Sequence, residues 1–420
     1  MTEQLLQFIW QFRHFNTAEL KTTAGEALEI IHPGTLNKNQ GPDFLDARIK
    51  CGDTILAGNI EIHTRSSEWA AHGHSSDKNY RNVILHVVLQ EDKQLDLNFP
   101  SLELNDRISK IMLVKYEQLM QNRSFVSCGD HLPSVDELTL VSWKQRLFIE
   151  RLQEKSAYIR TVLELQQYHW EDVFWQMLAR NFGNKINNDA FERMALSLPV
   201  NILAKHKSQL IQLEALLMGQ SGLLEDEFEE SYPQMLQKEY RFLKKKYALK
   251  DNPVPVHFLR MRPAGFPGLR LSQLAALIHQ SSHLFSCIKD AGPLEEVRKM
   301  FSATANDYWH YHYSFGELSA FKKKSIGAQM AENIILNTVL PMLFAYGTYN
   351  KTEVYISKAL AWAEELNPEK NNITAGFEKL GVKNISAADS QALIQLKNKY
   401  CDVKRCLECA VGNKILKING

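Results

Sequence analysis

The sequence predicts an α/β domain over residues 1–130, followed by an all-α region over residues 131–420. Three observations carry this division. Short apolar runs, alternating or continuous and bounded by Gly, Pro, Asn or Asp, fill the first hundred residues. Beyond about residue 105, apolar positions recur at three- and four-residue spacing instead. A chain of 420 residues is also longer than one ordinary core supports, so two or three domains are expected.

Taken in order, Leu5, Phe8, Ile9, Phe12 and Phe15 place a helix over residues 2–15. Leu28–Ile31 is a strand stopped by His32-Pro33-Gly34. Residues 35–44 are a loop rich in Asn, Gly and Pro. Phe44–Lys50 and Thr54–His63 are strands joined by the Cys51-Gly52-Asp53 hairpin turn. A polar, His-containing loop covers 64–76, and 77–81 is a short helix or turn. Val83–Gln90 is so continuously apolar that it reads as a strand buried on both faces. Leu95–Leu104 is an edge strand broken by Pro100. Helices then follow at 106–122, 137–166, 172–181, 189–197, 202–218, 232–247, 270–287, 292–302, 327–345, 352–366, 372–380 and 387–400.

Composition narrows the function. With 45% hydrophobic and 23% charged residues the chain is of the soluble globular class. A net charge of +1 makes no global electrostatic commitment to nucleic acid, although a local basic groove remains compatible with it. No apolar run approaches the ~20 residues of a membrane span. The first residues lack the basic start and small-residue cleavage site of a signal peptide. Six cysteines in so long a chain do not make a disulfide scaffold, so the expected compartment is the cytoplasm, with reduced thiols. There is no Gly-rich phosphate loop, Gly-x-Ser-x-Gly or dinucleotide fingerprint, so ATP use and serine hydrolysis have no support.

The chemistry concentrates between residues 32 and 86, which hold five of the fourteen histidines. Asp43 and Glu61 stand at the start of one predicted strand and near the end of the next. A hairpin would therefore bring their carboxylates together around a Mg²⁺ or Mn²⁺ ion. Glu61 and His63 alternate with Ile60 and Ile62 and so share a strand face, which makes His63 a ligand, a general base or a cation for developing phosphate charge. His72 and His74 follow in the loop after Trp69. With His63 and a carboxylate they form a second ligand set, suited to Zn²⁺ or another transition ion. His86, inside an apolar run, reads as a core histidine.

These residues resemble the core of the PD-(D/E)XK, or restriction-endonuclease-like, nucleases over roughly residues 15–90. Pro42-Asp43 matches the first element and Glu61-Ile62-His63 the second, with His63 where the family usually has lysine. The resemblance implies a mixed sheet with flanking helices, a metal held by Asp43 and Glu61, hydrolysis of a nucleic acid, and an acidic residue from the N-terminal helix, for which Glu19 and Glu26 are the candidates. The whole chain also resembles an uncharacterised family of bacterial proteins. That likeness is carried by Gly41-Pro-Asp-Phe44, Gly58-Asn-Ile-Glu-Ile-His63, His72-Gly-His74 with Tyr80, Leu178-Ala-Arg-Asn-Phe-Gly183, Arg262-Pro with Phe266-Pro-Gly-Leu-Arg-Leu271, and the C-terminal cysteines. It brings no established activity.

Cys401-x4-Cys406-x2-Cys409 has spacing that lets three thiolates reach one zinc ion or iron–sulfur cluster. Cys51, Cys128 or Cys287 would have to supply the fourth ligand. The competing reading is a plain helix, Asp402–Leu416, with Cys406 and Cys409 on one buried face. Arg260, Arg262 and Arg270 with Lys244–Lys246 are candidate phosphate contacts, and Trp309–Tyr313 is either a stacking platform or core. Three functions follow: a Mg²⁺- or Mn²⁺-dependent nuclease using Asp43, Glu61 and His63; a non-catalytic binding protein on the same fold; and a small-substrate hydrolase built on the histidine loop. The sequence is silent on oligomeric state.

Overall fold

The structure is a computed structural model and describes residues 1–37, 39–250, 254–281 and 283–417. The chain forms two compact units. The first holds Met1–Trp143, Lys379–Val382 and the segment from Leu396 onward; the second holds Lys144–Glu378 and Lys383–Gln395. The C-terminal segment, which sequence reading assigns to the helical region, thus belongs to the unit that carries the sheet. Among the described residues no helix is long and apolar enough to cross a membrane.

The first unit opens with α1 (Glu3–Gln11), capped by the Thr2 side chain, which accepts from Leu5 N. Six strands follow: β1 (Leu28–His32), β2 (Thr35–Leu36), β3 (Phe44–Cys51), β4 (Thr54–Arg65), β5 (Val83–Gln90) and β6 (Ser101–Glu103). They form one mixed sheet in the order β1-β3-β4-β5-β6, with β2 also paired to β3. The β1–β3 and β3–β4 pairs are antiparallel; β4–β5 and β5–β6 are parallel. The short helix α2 (Glu68–Ala71) lies in the β4–β5 crossover, and α3 (Lys110–Gln121) follows the sheet. The expected edge strand over 95–104 shrinks to β6. Proline has no N–H to pair, but the Pro100 carbonyl still accepts from His86 N at 3.0 Å.

Pleating sorts the side chains. Ile60 and Ile62 of β4 and Leu85 and Val87 of β5 pack with Leu5, Leu6, Ile9 and Trp10 of α1 into one apolar core. Glu61, His63 and His86, at the alternate positions, are buried on the opposite face. Register shifts bend the strands beside this face, between Phe44 and Ala47 and between Asn59 and Ile60. Bulges of this kind re-aim side chains. Gly58 is required at the second shift, because a Cβ there would lie 2.5 Å from both the Asn82 carbonyl oxygen and Ile84 Cγ2. Gly58→Ala is therefore expected to cost roughly 1–3 kcal/mol, the usual cost of over-packing. Urea unfolding checks this, and an unchanged midpoint would contradict it.

Helix α4 (Glu137–Leu165) starts in the first unit and continues into the second. The second unit is helical: α5 (Trp170–Phe182), α6 (Asn184–Ser197), α7 (Val200–Lys205), α8 (Leu210–Gln220), α9 (Ser231–Tyr247), α10 (Pro267–Gln280), α11 (Leu284–Asp290), α12 (Leu294–Met300), α13 (Ala328–Ile334), α14 (Leu340–Asn350), α15 (Glu353–Glu365), α16 (Asn372–Lys379) and α17 (Ala387–Leu396). Two expected helices are each divided. The 202–218 helix breaks at His206, whose ring bonds Gln212 and Tyr247, and the 270–287 helix breaks before His283, which has φ +48°. Trp309 is fully buried, and Lys324 Nζ donates to the carbonyls of Trp309 and His312 at 2.6 and 2.7 Å. Within 309–313, Trp309, His310 and His312 are buried, whereas Tyr311 is exposed. The last helix, α18 (Ala410–Lys417), belongs to the first unit.

Candidate metal centre

The Gly41-Pro42-Asp43 turn is fixed by Asn37, whose backbone N–H donates to the Asp43 carbonyl at 2.7 Å and whose Nδ2 donates to the Pro42 carbonyl at 2.9 Å. Gly41 has φ +112°, open to glycine and disfavoured for other residues. The turn delivers Asp43 to Glu61 across the hairpin. Asp43 N donates to Glu61 Oε2 at 3.1 Å, and Ile62 N donates to Asp43 Oδ2 at 2.9 Å. Gln7 Nε2 of α1 donates to Asp43 Oδ1 at 2.8 Å. Asp43 and Glu61 are thus brought together by reciprocal backbone bonds.

Burial raises both carboxyls well above their ordinary range. Burial and the neighbouring Asp43 carboxylate push Glu61 up to about 9, and burial and Glu3 push Asp43 up to about 7. Glu3 is itself raised by burial, while His72 pulls it down. The acid contributed by the N-terminal helix is therefore Glu3. Glu19 and Glu26, which the resemblance offers for that role, lie beyond α1: Glu19 sits in a turn with φ +47°, and Glu26 Oε2 accepts from the Cys51 thiol at 3.1 Å.

Two histidines reach the Glu61 carboxylate, and His72 joins them through His63. His63 Nε2 lies 3.6 Å and His74 Nε2 3.3 Å from Glu61 Oε1. His63 Nε2 lies 3.2 Å from His72 Nδ1. One ring nitrogen from each of His63, His72 and His74 fits within a mutual spread of 4.8 Å. The other nitrogen of His63, Nδ1, is 2.9 Å from His86 Nε2. A ligating imidazole is held by a partner on its far nitrogen in this way, so His86, which reads from sequence as a core residue, orients His63. Burial and the surrounding imidazoles lower His63 to about 3, and burial, followed by His74, lowers His86 to about 4. Both rings are neutral at pH 7, with a lone pair to offer.

Trp69, 3% exposed, forms the floor. Its ring meets His74 and His86 at centroid distances of 5.3 Å, and its Nε1 donates to Ser75 Oγ at 2.9 Å. Tyr80 stacks on His74 at 3.9 Å. Glu68 accepts from Thr64 N at 3.0 Å and Thr64 Oγ1 at 2.8 Å, fixing the end of β4 against α2. His63 is 1% and Glu61 5% exposed, so the approach is from the side of exposed His72.

Glu3, Gln7 and His86 were not expected as members of this group. Glu3 and Gln7 stand one turn apart on α1, on its polar side, and that spacing was the signal for a paired face. Nothing in the sequence says that this face meets Asp43. The three C-terminal cysteines are not part of it; they gather with Cys128 elsewhere in the first unit. In the second unit, Arg270 Nη1 donates to Gln273 Oε1 at 3.0 Å.

A family model described as "Protein of unknown function (DUF2851)" matches residues 3–372. The chain belongs to this family. All the residues of the DUF2851 centre described above fall inside the match, and Cys401, Cys406 and Cys409 fall beyond it. No curated protein and no solved structure matched the chain.

Proposed function

We propose that this DUF2851 protein is a metal-dependent phosphodiesterase, with one divalent transition ion held by His63, His72, His74 and Glu61. The observation that carries this reading is the gathering of one ring nitrogen each from His63, His72 and His74 within 4.8 Å of one another, with His63 and His74 both against Glu61 Oε1. A divalent cation bound there would take the place of the proton that burial holds on Glu61. Imidazole-rich sets favour Zn²⁺ and its neighbours over Mg²⁺ and Mn²⁺, so the expected ion moves from Mg²⁺ or Mn²⁺ to Zn²⁺. Such an ion polarises a phosphoryl oxygen and acidifies bound water. Asp43, held by Gln7 and Ile62 N, is placed as the general base or as a second carboxylate.

The phosphodiester class rests on the order of elements. A helix, a strand, a hairpin beginning with Pro42-Asp43, Glu61-Ile62-His63 on the next strand, a short helix and a parallel strand follow one another as in the PD-(D/E)XK core. His63 stands at the lysine position, and its neutrality at pH 7 means that the ion must supply the positive charge. The buried pair Glu61 and His63, approached from the His72 side, favours a single strand or a small phosphodiester over a duplex. The test is hydrolysis of bis(4-nitrophenyl) phosphate and of labelled single- and double-stranded DNA and RNA, with Zn²⁺, Mn²⁺ or Mg²⁺. Metal-dependent turnover that falls roughly 10²–10⁴-fold in Glu61→Gln supports the reading. Metal bound without turnover on any of these substrates overturns it.

A further inference from the structure

The C-terminal cysteines do not lie on one helix. Helix α18 begins only at Ala410, and residues 402–409 form a succession of tight turns. Cys401 ends a π-helical turn, Lys397–Cys401. Lys404, with φ +56°, then reverses the chain. Its Nζ donates to the Met120 carbonyl at 2.9 Å and also to that of Asn122, tying the turn to the end of α3 shortly before Cys128. Asn413 Nδ2 holds the other side of the loop through the carbonyls of Leu407, at 2.8 Å, and Cys409, at 3.1 Å. A Cβ on Gly412 would fall 2.1 Å from the Cys406 carbonyl oxygen, so the helix start and the cysteine turn are in the closest contact that glycine permits.

This scaffold gathers four of the six thiols. Cys128 feels Cys409 and Cys406, and Cys401 feels Cys409, Cys128 and Cys406. The other two are elsewhere: Cys51 donates to Glu26, and Cys287 is exposed in the second unit. Burial is the largest influence on all four thiols and raises each of them, while nearby cations and N–H groups oppose it. Lys397 acts on Cys401, Lys404 acts on Cys406, and the backbone N–H groups of Val411 and Gly412 bond the Cys409 sulfur. Cations and N–H donors around sulfur are the means by which proteins stabilise metal-bound thiolates.

We propose that Cys128, Cys401, Cys406 and Cys409 form a four-thiolate metal centre that carries an iron–sulfur cluster and fastens the C-terminal segment to the first unit. It is independent of the histidine centre and of the phosphodiesterase reading. Cys401, Cys406 and Cys409 follow the C-x4-C-x2-C spacing of one iron–sulfur arrangement, and Cys128 is the fourth thiol beside them. Among the described residues, no three of the cysteine sulfurs lie within 4.8 Å of one another. A tetrahedral zinc with ~2.3 Å bonds would draw its sulfurs to about 3.8 Å of one another. A cluster has a separate iron behind each sulfur and holds them farther apart.

The test is metal analysis of the full chain prepared without oxygen. Iron and acid-labile sulfide at about four of each per chain, with a broad absorption band near ~400 nm, is the expected result. Cys128→Ser and Cys409→Ser should lose both, whereas Cys51→Ser and Cys287→Ser should keep them. In case the first pair does not fold, wild-type thiol labelling gives an independent reading. Cys287 should react at once, and four thiols should become reactive only after the metal is removed. One zinc per chain that disappears in Cys128→Ser would retain the four-thiolate centre and overturn the cluster. Neither metal in the wild type, with all four thiols reactive, would overturn the centre itself.

Discussion

His63→Ala is expected to abolish divalent-ion binding at the sheet, weakening affinity by 10²-fold or more. His63 is the hub: its Nε2 faces His72 and Glu61, and its Nδ1 faces His86. Removing it leaves His72 and His74 on a loop without the strand-borne ligand that fixes their geometry, and leaves Glu61 buried beside a void. The partner effect should be smaller. His86→Phe keeps the volume and removes only the orienting nitrogen, and loss of such a partner costs 10–100-fold in affinity. Isothermal titration with Mn²⁺ or Zn²⁺ separates the two. Equal losses would mean that His86 is itself a ligand; no loss in His63→Ala would mean that the ion, if bound, sits elsewhere. Circular dichroism guards against unfolding, since both side chains lie outside the α1-packed core.

The second large effect is on stability against pH. Asp43 and Glu61 have folded-state values near 7 and 9, above their ordinary 3.8 and 4.5. The folded state therefore binds their protons more tightly, and stability falls as pH rises through that range. His63 and His86 lie near 3 and 4, below 6.5, so the unfolded state binds their protons more tightly, and stability rises from about pH 3 to 6.5. The limbs overlap below 6.5. Above it the two carboxylates act against Lys155, which burial lowers to about 7 and which adds stability as pH rises, so the effect is read as a difference: from pH 6.5 to 9 the metal-free wild type should lose more stability than Glu61→Gln, with a limiting slope near ~1.4 kcal/mol per pH unit per proton. A bound divalent ion replaces the Glu61 proton and should flatten this limb, with proton uptake by the buffer visible in calorimetry at pH 7. Melting curves of both proteins at pH 6.5, 7.5 and 8.5, with and without Zn²⁺, decide the matter. No difference between the two metal-free proteins would place the origin of the falling limb outside Glu61.

The elements that carry the site were legible because they depend on local signals. Period-two alternation set Glu61 and His63 on one face, the continuous run 83–90 read as a buried strand, and Gly41-Pro42-Asp43 read as a turn. Strand pairing was enough to group Asp43, Glu61 and His63, whereas His72 and His74, on the segment after β4, were read only as a second ligand set. The membership of Glu3 and Gln7 was not legible, because it depends on how α1 docks across the sheet, a contact made over 36 residues of chain in the Gln7–Asp43 bond. His86 is the buried histidine that the apolar run predicts, but its bond to His63 was not legible, because an imidazole inside such a run looks alike whether it merely fills the core or holds another imidazole. The helix over 402–416 failed for a related reason. Its apolar spacing is helical, but Lys404 at φ +56° and its bonds to the end of α3 override that propensity. Tertiary ties, invisible along the chain, outweigh weak local preference.

The central claim is that three histidines and Glu61 hold one ion. The most direct measurement is titration of metal-free protein with Mn²⁺, as a paramagnetic stand-in for Zn²⁺, followed by its electron paramagnetic resonance, in wild type and in His63→Ala. One site per chain in the wild type, with nitrogen couplings from imidazole that vanish in the variant, is the predicted result. A free-ion spectrum throughout the titration of folded wild type, or an identical bound signal in both proteins, would contradict it.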